Sequence, residues 1–502
     1  MALAPFFERV YGALGGHLAI SRESLTAVLD NVTVGIRCGK KLHKNDLWIA
    51  ELSTNLLARL YPRLAISGPP KQCSALRALA LQINPHIELV KYAPDATTLC
   101  VGSVGAEGAI FPGASGWVAH VDHIASQRMG PANPYAAGAA ATLSCAELFR
   151  RIFLKSEPEQ DVSVSLLNFD KETGANLKLK NADVGDVLFV GVGAVGNAAL
   201  WALARDSHVL GRLWLVDAEN VALSNLQRYV LATYSDIDRS KVLLGQESLS
   251  KTKLSVEPRQ LTLEQFAEAC GPITTPTTVV SVDNIDGRRS AQALLPQLVI
   301  NGWTGDQALG ASWHVLSRDA ACLACLYHPH GQGSSAIEQA AKALGLPHDR
   351  TALLWVTAQP LSDADIRSAA TALGVQESEL APWRGKSLGD LYTDVVCGAV
   401  PLDVRGVGRV ETVPLAHQSA LAGILMAAEL LKRTRPELAA LSQPEPLVSW
   451  DNVLQAAPGI WPKPRAREIG CLCGDPDYQT IYARKWGAPL NTDGGQGKRH
   501  HG

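Results

Sequence analysis

Residues 187–204 read VLFVGVGAVGNAALWALA. An apolar run of strand type meets Gly191, Gly193 and Gly196 at G-x-G-x-x-G spacing, and an Ala/Leu-rich helical stretch follows. Three glycines so placed allow a tight turn, a close backbone approach to phosphate, and close packing of helix on strand. The helix that follows offers its N-terminus to an anion. The run is nearly long enough to cross a bilayer, but the glycines and Asn197 favour strand, turn and helix over a span. The expected fold class is therefore α/β with a nucleotide loop. The glycines alone do not separate a dinucleotide from ATP.

Composition narrows the setting of that loop. The chain has 502 residues, room for several domains, and 47% hydrophobic against 19% charged residues marks it as globular. A formal net charge of −2 argues against a broad nucleic-acid surface or a polybasic membrane face and leaves room for a local basic pocket. The start, MALAPFFERVYGAL, lacks the charged segment, apolar run and cleavage site of a signal peptide, so a soluble cytoplasmic protein is expected. Ten cysteines are too sparse for a disulfide scaffold, and two close pairs read as metal ligands in a reduced compartment.

Patterning along the chain suggests a duplication. Residues 51–62, ELSTNLLARLYP, have helical spacing; RLAISG reads as a strand, SALRALALQI as a helix, and IELVKYA and TTLCVGSV as strands. This α/β unit has no glycine-rich loop and ends in an Ala-rich helix over 133–153. The polar stretch LKSEPEQD then marks a boundary. After the loop come further strands at PTTVVSVDN, PQLVINGWTG and ASWHVLS. Residues 335–397 turn helical, with start signals at Ser and Asp. A second apolar helix over 417–433 repeats the composition of 133–153 and its AEL ending. The tail from 491 is polar and expected to be disordered.

The chemistry lies in the segment after the loop. GRLWLV leads into DAENVALSNLQRY, residues 217–229, and Asp217 ends the strand where an acid can accept from ribose hydroxyls. Ser224 and Gln227 fit a capping box, which starts a helix carrying Arg228. Lys241 follows thirteen positions later, and Asp283 closes the next strand in SVDN. A dinucleotide makes few demands for two extra cations and a second acid. A triphosphate with magnesium uses all three.

GVGAVG, VDAENVALSNLQR, SK and VDN, in that order and spacing, resemble the adenylation domain of ubiquitin-activating enzymes and the ThiF/MoeB/HesA superfamily. The resemblance implies that Asp217 binds ribose, that Asn225, Arg228 and Lys241 contact ATP phosphates, and that Asp283 holds Mg2+. Glu219 stands where the family has a second Asp, and Tyr229 where it has Gln. Cys322 and Cys325 (C-x-x-C) and Cys471 and Cys473 (C-x-C) supply four thiolates for a structural Zn2+ site. The second pair is tighter than the family's C-x-x-C, and four merely buried thiols remain an alternative; His328 and His330 are fallback ligands. In the family, a helical insertion carries the cysteine that takes the activated acyl group. Cys397, in TDVVCGAVP, ends the insertion here. A free thiol titrates near ~8.5 and needs activation; Arg405 is a candidate. A buried apolar role is the alternative for Cys397.

The N-terminal half resembles the same family in degenerate form. LAISG occupies the place of the glycine-loop strand, LQINPHIEL resembles the strand before the magnesium acid, and TTLCVGSV carries Gly102-Ser103 in place of Asp-Asn. The implied organisation is an inactive adenylation-like domain over 1–165, an active one over 166–334 and 398–490, a helical catalytic-cysteine insertion over 335–397, and a tail over 491–502. The two Rossmann-like domains would pair as a pseudo-dimer within one chain, with a further homodimer left open. The opposite half donates an Arg to the phosphates in the family; Arg9, Arg22 and Arg37 are candidates.

The resemblance implies a bacterial enzyme that adenylates a ubiquitin-like protein, forms a thioester and passes it to a conjugating enzyme, in a setting such as antiviral defence. Only 29 residues follow Cys473, too few for a C-terminal ubiquitin-fold domain, so the conjugating enzyme would be recruited by another surface. No nucleic acid or membrane partner is expected. Three alternatives stand: an adenylyltransferase for a sulfur-carrier protein, an NAD-dependent oxidoreductase, and a non-catalytic scaffold for a ubiquitin-fold partner.

Overall fold

Two sheets share one strand order, and helices join them. The computed structural model describes residues 3–18, 22–91, 96–125, 128–154, 161–271, 273–305, 308–317, 320–327, 336–357, 359–392, 395, 414–442, 447–451, 459–462 and 466–487. They form two compact units. One comprises Met1–Phe6, Thr26–His328 and Pro414–Gly502, the other Phe7–Leu25 and Pro329–Val413.

In the larger unit, β1 (Val34–Cys38), β2 (Arg63–Ser67), β3 (Glu88–Val90) and β4 (Thr97–Val101) make a parallel sheet in the order β3-β2-β1-β4. A parallel bridge from Leu99 to Ile110 leads into an antiparallel trio, β5 (Phe111–Ser115), β6 (Val118–Asp122) and β7 (Val162–Ser165). The second sheet repeats this plan. β8 (Ala182–Val190), β9 (Val209–Val216), β10 (Lys253–Arg259), β11 (Thr277–Val280) and β12 (Leu298–Thr304) run parallel in the order β10-β9-β8-β11-β12. β13 (Ala308–His314), β14 (Leu447–Asp451) and β15 (Gly459–Pro462) extend it antiparallel. This is the mixed α/β class expected.

One correspondence drawn from sequence is corrected. LAIS lies in β2, at the place of β9, and the strand at the place of the glycine-loop strand β8 is β1. β1 is short, and four of its five residues are buried, so it offers no alternating pattern.

The two apolar helices, Pro134–Phe149 and Ala416–Thr434, enter their halves between β6 and β7 and between β13 and β14. Every residue of the first is buried, as is Ala416–Lys432 of the second. Glycine lets them approach each other and the helix Ala194–Leu203. A Cβ on Gly138 would lie 2.7 Å from Ile424 Cδ1 and 2.9 Å from Trp201 Cζ3. One on Gly423 would overlap the Val195 carbonyl oxygen and sit 2.7 Å from Ala198 Cβ. The helix Lys44–Leu60 packs on Pro134–Phe149 and completes the group.

The smaller unit is helical: Ala336–Leu344, His348–Thr357, Asp363–Leu373 and Leu388–Leu391 bury Leu344, Leu354, Ile366 and Trp383. Ser362 and Ser387 cap their helices by accepting from the amides of Asp365 and Asp390. No described helix is long and apolar enough to cross a membrane. His328, His330, Cys397 and Arg405 lie outside the described residues.

Adding a branched side chain at the Gly423 contact forces backbone apart. Gly423→Val should cost about 1–3 kcal/mol of stability and lower the thermal midpoint, measured by differential scanning fluorimetry on the full chain.

Candidate active site

The C-terminal ends of β8, β9 and β11 meet beside the point where strand order reverses, the usual crevice of an open α/β sheet. Gly191 leaves β8 at φ +89°, a left-handed conformation that favours glycine. A Cβ on Gly196 would overlap the Gly191 carbonyl oxygen, so the helix starting at Ala194 seats only because that position is bare. Ser281 Oγ donates to the same carbonyl at 2.7 Å. Asp217, the first residue after β9, braces the loop. Its Oδ2 accepts from the Val192 amide at 2.7 Å and its Oδ1 from the Glu219 amide at 2.9 Å. Burial raises the Asp217 pKa; Lys241 and the two amides oppose that shift.

The segment after Asp217 departs from the expected capping box. Leu223–Gln227 is a 3-10 turn, not the start of a helix, and Ser224 is not its cap. Asn225 Oδ1 instead accepts from the Ala222 amide at 2.9 Å, while its carbonyl accepts from Arg228 and Tyr229 at 3.0 and 3.1 Å. The Ser-x-x-Gln spacing was satisfied in sequence, but Asn225 closes the turn from inside it. Gln227 is buried and donates to the Pro414 carbonyl at 3.3 Å. Arg228, half-buried, follows directly.

Lys241 opens the helix Lys241–Leu249 and is buried. Its ammonium pairs with the Glu219 carboxylate and lies 5.3 Å from the centre of the Tyr229 ring. Burial alone would lower its pKa, but the Asp217 and Glu219 carboxylates raise it, so it stays charged. Tyr229 is itself buried, which raises its phenol and keeps it neutral; Lys241, Arg228 and Asp217 all act on it. A Cβ on Gly193 would sit 3.7 Å from Tyr229 Oη, so the phenol stands over the glycine loop. Tyr229 is thus the residue around which Arg228, Lys241, Asp217 and the loop gather. Asp283 is exposed, three positions beyond β11, and the 281–282 backbone flanks Gly191. Asn284 caps the helix Ile285–Ala293 by accepting from Gly287 at 2.6 Å.

Four thiols gather elsewhere in the same unit. The sulfurs of Cys322, Cys325, Cys471 and Cys473 all lie within 4.8 Å of one another and are buried. Three of their separations are 3.8, 3.6 and 3.5 Å. Tetrahedral thiolates at about 2.3 Å from an ion stand about 3.8 Å apart, so the cluster has the size of a closed four-sulfur site.

Of the arginines considered as cross-half donors, Arg37 donates to the Gly105 carbonyl at 3.0 Å within its own half. Arg9 belongs to the smaller unit, and the Arg22 side chain is outside the described set. The residues that do cross were missed in the sequence. Asn55 and Arg59, on the helix Lys44–Leu60, donate to main-chain carbonyls of residues 226–232. Their signal was an i, i+4 polar pair inside the apolar run TNLLARLYP.

Residues 134–452, more than half of the chain, match the ThiF family, and residues 45–154 match the prokaryotic E2 family C. The uncharacterized protein y4jF of Sinorhizobium fredii (strain NBRC 101917 / NGR234) is 35% identical over 459 residues, 87% of this chain and 88% of the relative. The sulfur carrier protein ThiS adenylyltransferase of Escherichia coli (strain K12) is 34% identical over 109 residues, 21% of this chain and 43% of its own length. Among solved structures, the microcin C7 biosynthetic enzyme MccB in complex with N-formylated MccA aligns at a TM-score of 0.37 and 16% identity, over 58% of this chain and 67% of that one. E. coli MccB with ATP aligns at 0.35 and 16%, over 58% and 66%.

Thiol accessibility follows from burial. Under native conditions a small alkylating reagent should modify exposed Cys270 and leave Cys38, Cys73, Cys100 and Cys145 unmodified, read by peptide mass spectrometry.

Proposed function

The chain belongs to the ThiF family, and from that premise we propose that it adenylates the C-terminal carboxylate of a ubiquitin-like protein with ATP. The observation that carries this reading is the convergence of Arg228, Lys241 and Asp217 on Tyr229 above the glycine loop. In the proposed reaction a carboxylate oxygen attacks the α-phosphorus. The bond from that phosphorus to the bridging oxygen breaks, and pyrophosphate leaves with the electron pair. The protein positions the two reactants and offsets charge; no side chain needs to move a proton. Arg228 and Lys241 supply fixed positive charge, Asp217 receives the ribose hydroxyls, and Asn225 lies on the same turn. Asp283, exposed beside the loop, would hold a magnesium ion, which neutralises phosphate charge when bound. An NAD-dependent oxidoreductase leaves this second acid and the two cations without a task.

In the second proposed step the Cys397 thiolate attacks the acyl carbon, AMP leaves, and a thioester forms for transfer to a conjugating enzyme. The match to an E2 family makes residues 45–154 a rival location for the acyl-carrying thiol. Burial argues against it. Cys73, Cys100 and Cys145 are 4%, 1% and 3% exposed, and burial pushes the Cys100 and Cys145 thiols up to about 11 and about 12. We read that half as an inactive adenylation-like partner in a pseudo-dimer, supported by the strand order shared by the two sheets. A sulfur-carrier adenylyltransferase remains the second reading, favoured by the similarity to the ThiS adenylyltransferase. It shares the first step and lacks the Cys397 thioester. The four-thiol cluster suits one structural zinc ion.

Purified protein with ATP, magnesium and its ubiquitin-like partner should exchange labelled pyrophosphate into ATP; absence of exchange with a verified partner refutes the proposal. Asp283→Ala should lower exchange by about 100-fold or more, the scale of losing one charge-stabilising group. Cys397→Ala should keep exchange and abolish a reducible adduct on gels; an adduct that survives in the variant points to another thiol, and a wild-type chain that exchanges but forms no adduct points to the sulfur-carrier reading. Elemental analysis should find one zinc per chain, and Cys473→Ser should release it with a lower thermal midpoint.

A further inference from the structure

Arg59 is 1% exposed, yet the oxygens that receive it are neutral. Its Nε donates to Asn55 Oδ1 at 2.9 Å, its Nη1 to the Leu226 carbonyl, and its Nη2 to the Ala232 carbonyl at 2.9 Å. Asn55, one turn earlier on the helix Lys44–Leu60, donates its Nδ2 to the Val230 carbonyl at 2.8 Å. Burial draws the Arg59 pKa down to about 9, the cost of a guanidinium without an offsetting charge. An apolar side chain of that size would fill the space at lower cost. What the guanidinium adds is geometry, a rigid planar fork with several donors.

The acceptors show what the fork fixes. Leu226 precedes Arg228 and Tyr229; Val230 and Ala232 follow them. Holding these three carbonyls fixes the chain on both sides of Arg228 and Tyr229. From the second half, Asn197 Oδ1 accepts from the Leu231 amide at 2.6 Å. The loop is therefore gripped from two elements, one in each half of the chain. We propose that Asn55 and Arg59 are positioning residues through which the N-terminal half orders the loop bearing Asn225, Arg228 and Tyr229. In this role the N-terminal half sets the phosphate end of the nucleotide site without contacting nucleotide. That consequence rests on the nucleotide reading above, whereas the ordering of the loop does not.

Hydrogen exchange on the full chain, without nucleotide, tests the ordering directly. In Arg59→Met, amides of residues 223–232 should exchange at least tenfold faster, while those of the helix Ala194–Leu203 keep their wild-type rates. Arg59→Lys, which retains a donor, should recover part of the protection. Asn55→Ala removes one grip and the Nε acceptor; it should loosen the same amides and serves if Arg59→Met does not fold. Unchanged exchange at 223–232 overturns the proposal, as does an equal rise in both segments, the mark of general destabilisation. In parallel, calorimetry with ATP and with adenosine should show Arg59→Met weakening ATP at least tenfold and adenosine less than twofold. Equal weakening of both overturns the phosphate-end role. A wild-type chain that binds no ATP refutes the nucleotide reading and leaves the exchange result to decide the clamp.

Discussion

The close approach of the helices Pro134–Phe149 and Ala416–Thr434 is the contact on which the rest depends. Side chains larger than glycine at positions 138 and 423 would collide with Ile424, Trp201 and the Val195 backbone. Interiors packed near crystal density have little room to absorb such a change. Through this contact the helix Lys44–Leu60 of one half comes to lie on the loop of residues 223–232 of the other. Trp117 stacked on Tyr135 at 5.6 Å, and the Tyr135 hydroxyl donating to Asp206 at 3.1 Å, tie the same seam from its N-terminal end. Toward its far end, Lys432 is fully buried, paired with Glu429 and donating to the Leu166 carbonyl at 3.0 Å. The seam is apolar over most of its length, and the Tyr135 hydroxyl and the Lys432 ammonium bring into it donors that have partners.

The strand-turn-helix at 187–204 was legible because glycine placement and apolar runs are local signals, and the two long apolar helices were legible for the same reason. What failed depended on neighbours. Ser224 and Gln227 have the spacing of a cap, but the turn starts two residues earlier, where the Asn225 side chain accepts from the Ala222 amide. β1 was passed over because a five-residue buried strand has no alternation to read. The i, i+4 pair of Asn55 and Arg59 is a weak signal for a sharper reason. A lone arginine on a helix usually faces water, and only the tertiary partner shows that its acceptors are carbonyls some 170 positions away. The candidate residues themselves came from motif order, and the structure adds their mutual arrangement around Tyr229.

That arrangement explains why a tyrosine is tolerated where the superfamily pattern has glutamine. A buried phenol costs less than a buried charge, and its oxygen can accept from an ammonium. An ammonium has no lone pair, so toward Lys241 the phenol oxygen can act only as an acceptor. The phenol oxygen stands beside Gly193, where the loop presents bare backbone. The substitution exchanges an amide for a hydroxyl donor and adds a ring face against which the Lys241 charge rests.

The four-thiol cluster acts on a different scale. It joins residues 322 and 325 to residues 471 and 473, so an ion held there closes a loop that contains the helical unit and the helix Ala416–Thr434. Closing a long loop removes conformational freedom chiefly from the unfolded chain, and the cost of closure grows only slowly with loop length. The helical unit can therefore be long without weakening the link between the two strands of the cluster. Tyr482 and Trp486, on the helix Pro476–Trp486, pack on the cysteines, and the Trp486 indole donates to the Leu295 carbonyl at 2.8 Å. Lys485 donates to the neighbouring Leu294 carbonyl at 2.6 Å, at the end of the helix that Asn284 starts beside Asp283. The helix that packs on the cysteines thus also holds the end of the helix that begins next to Asp283.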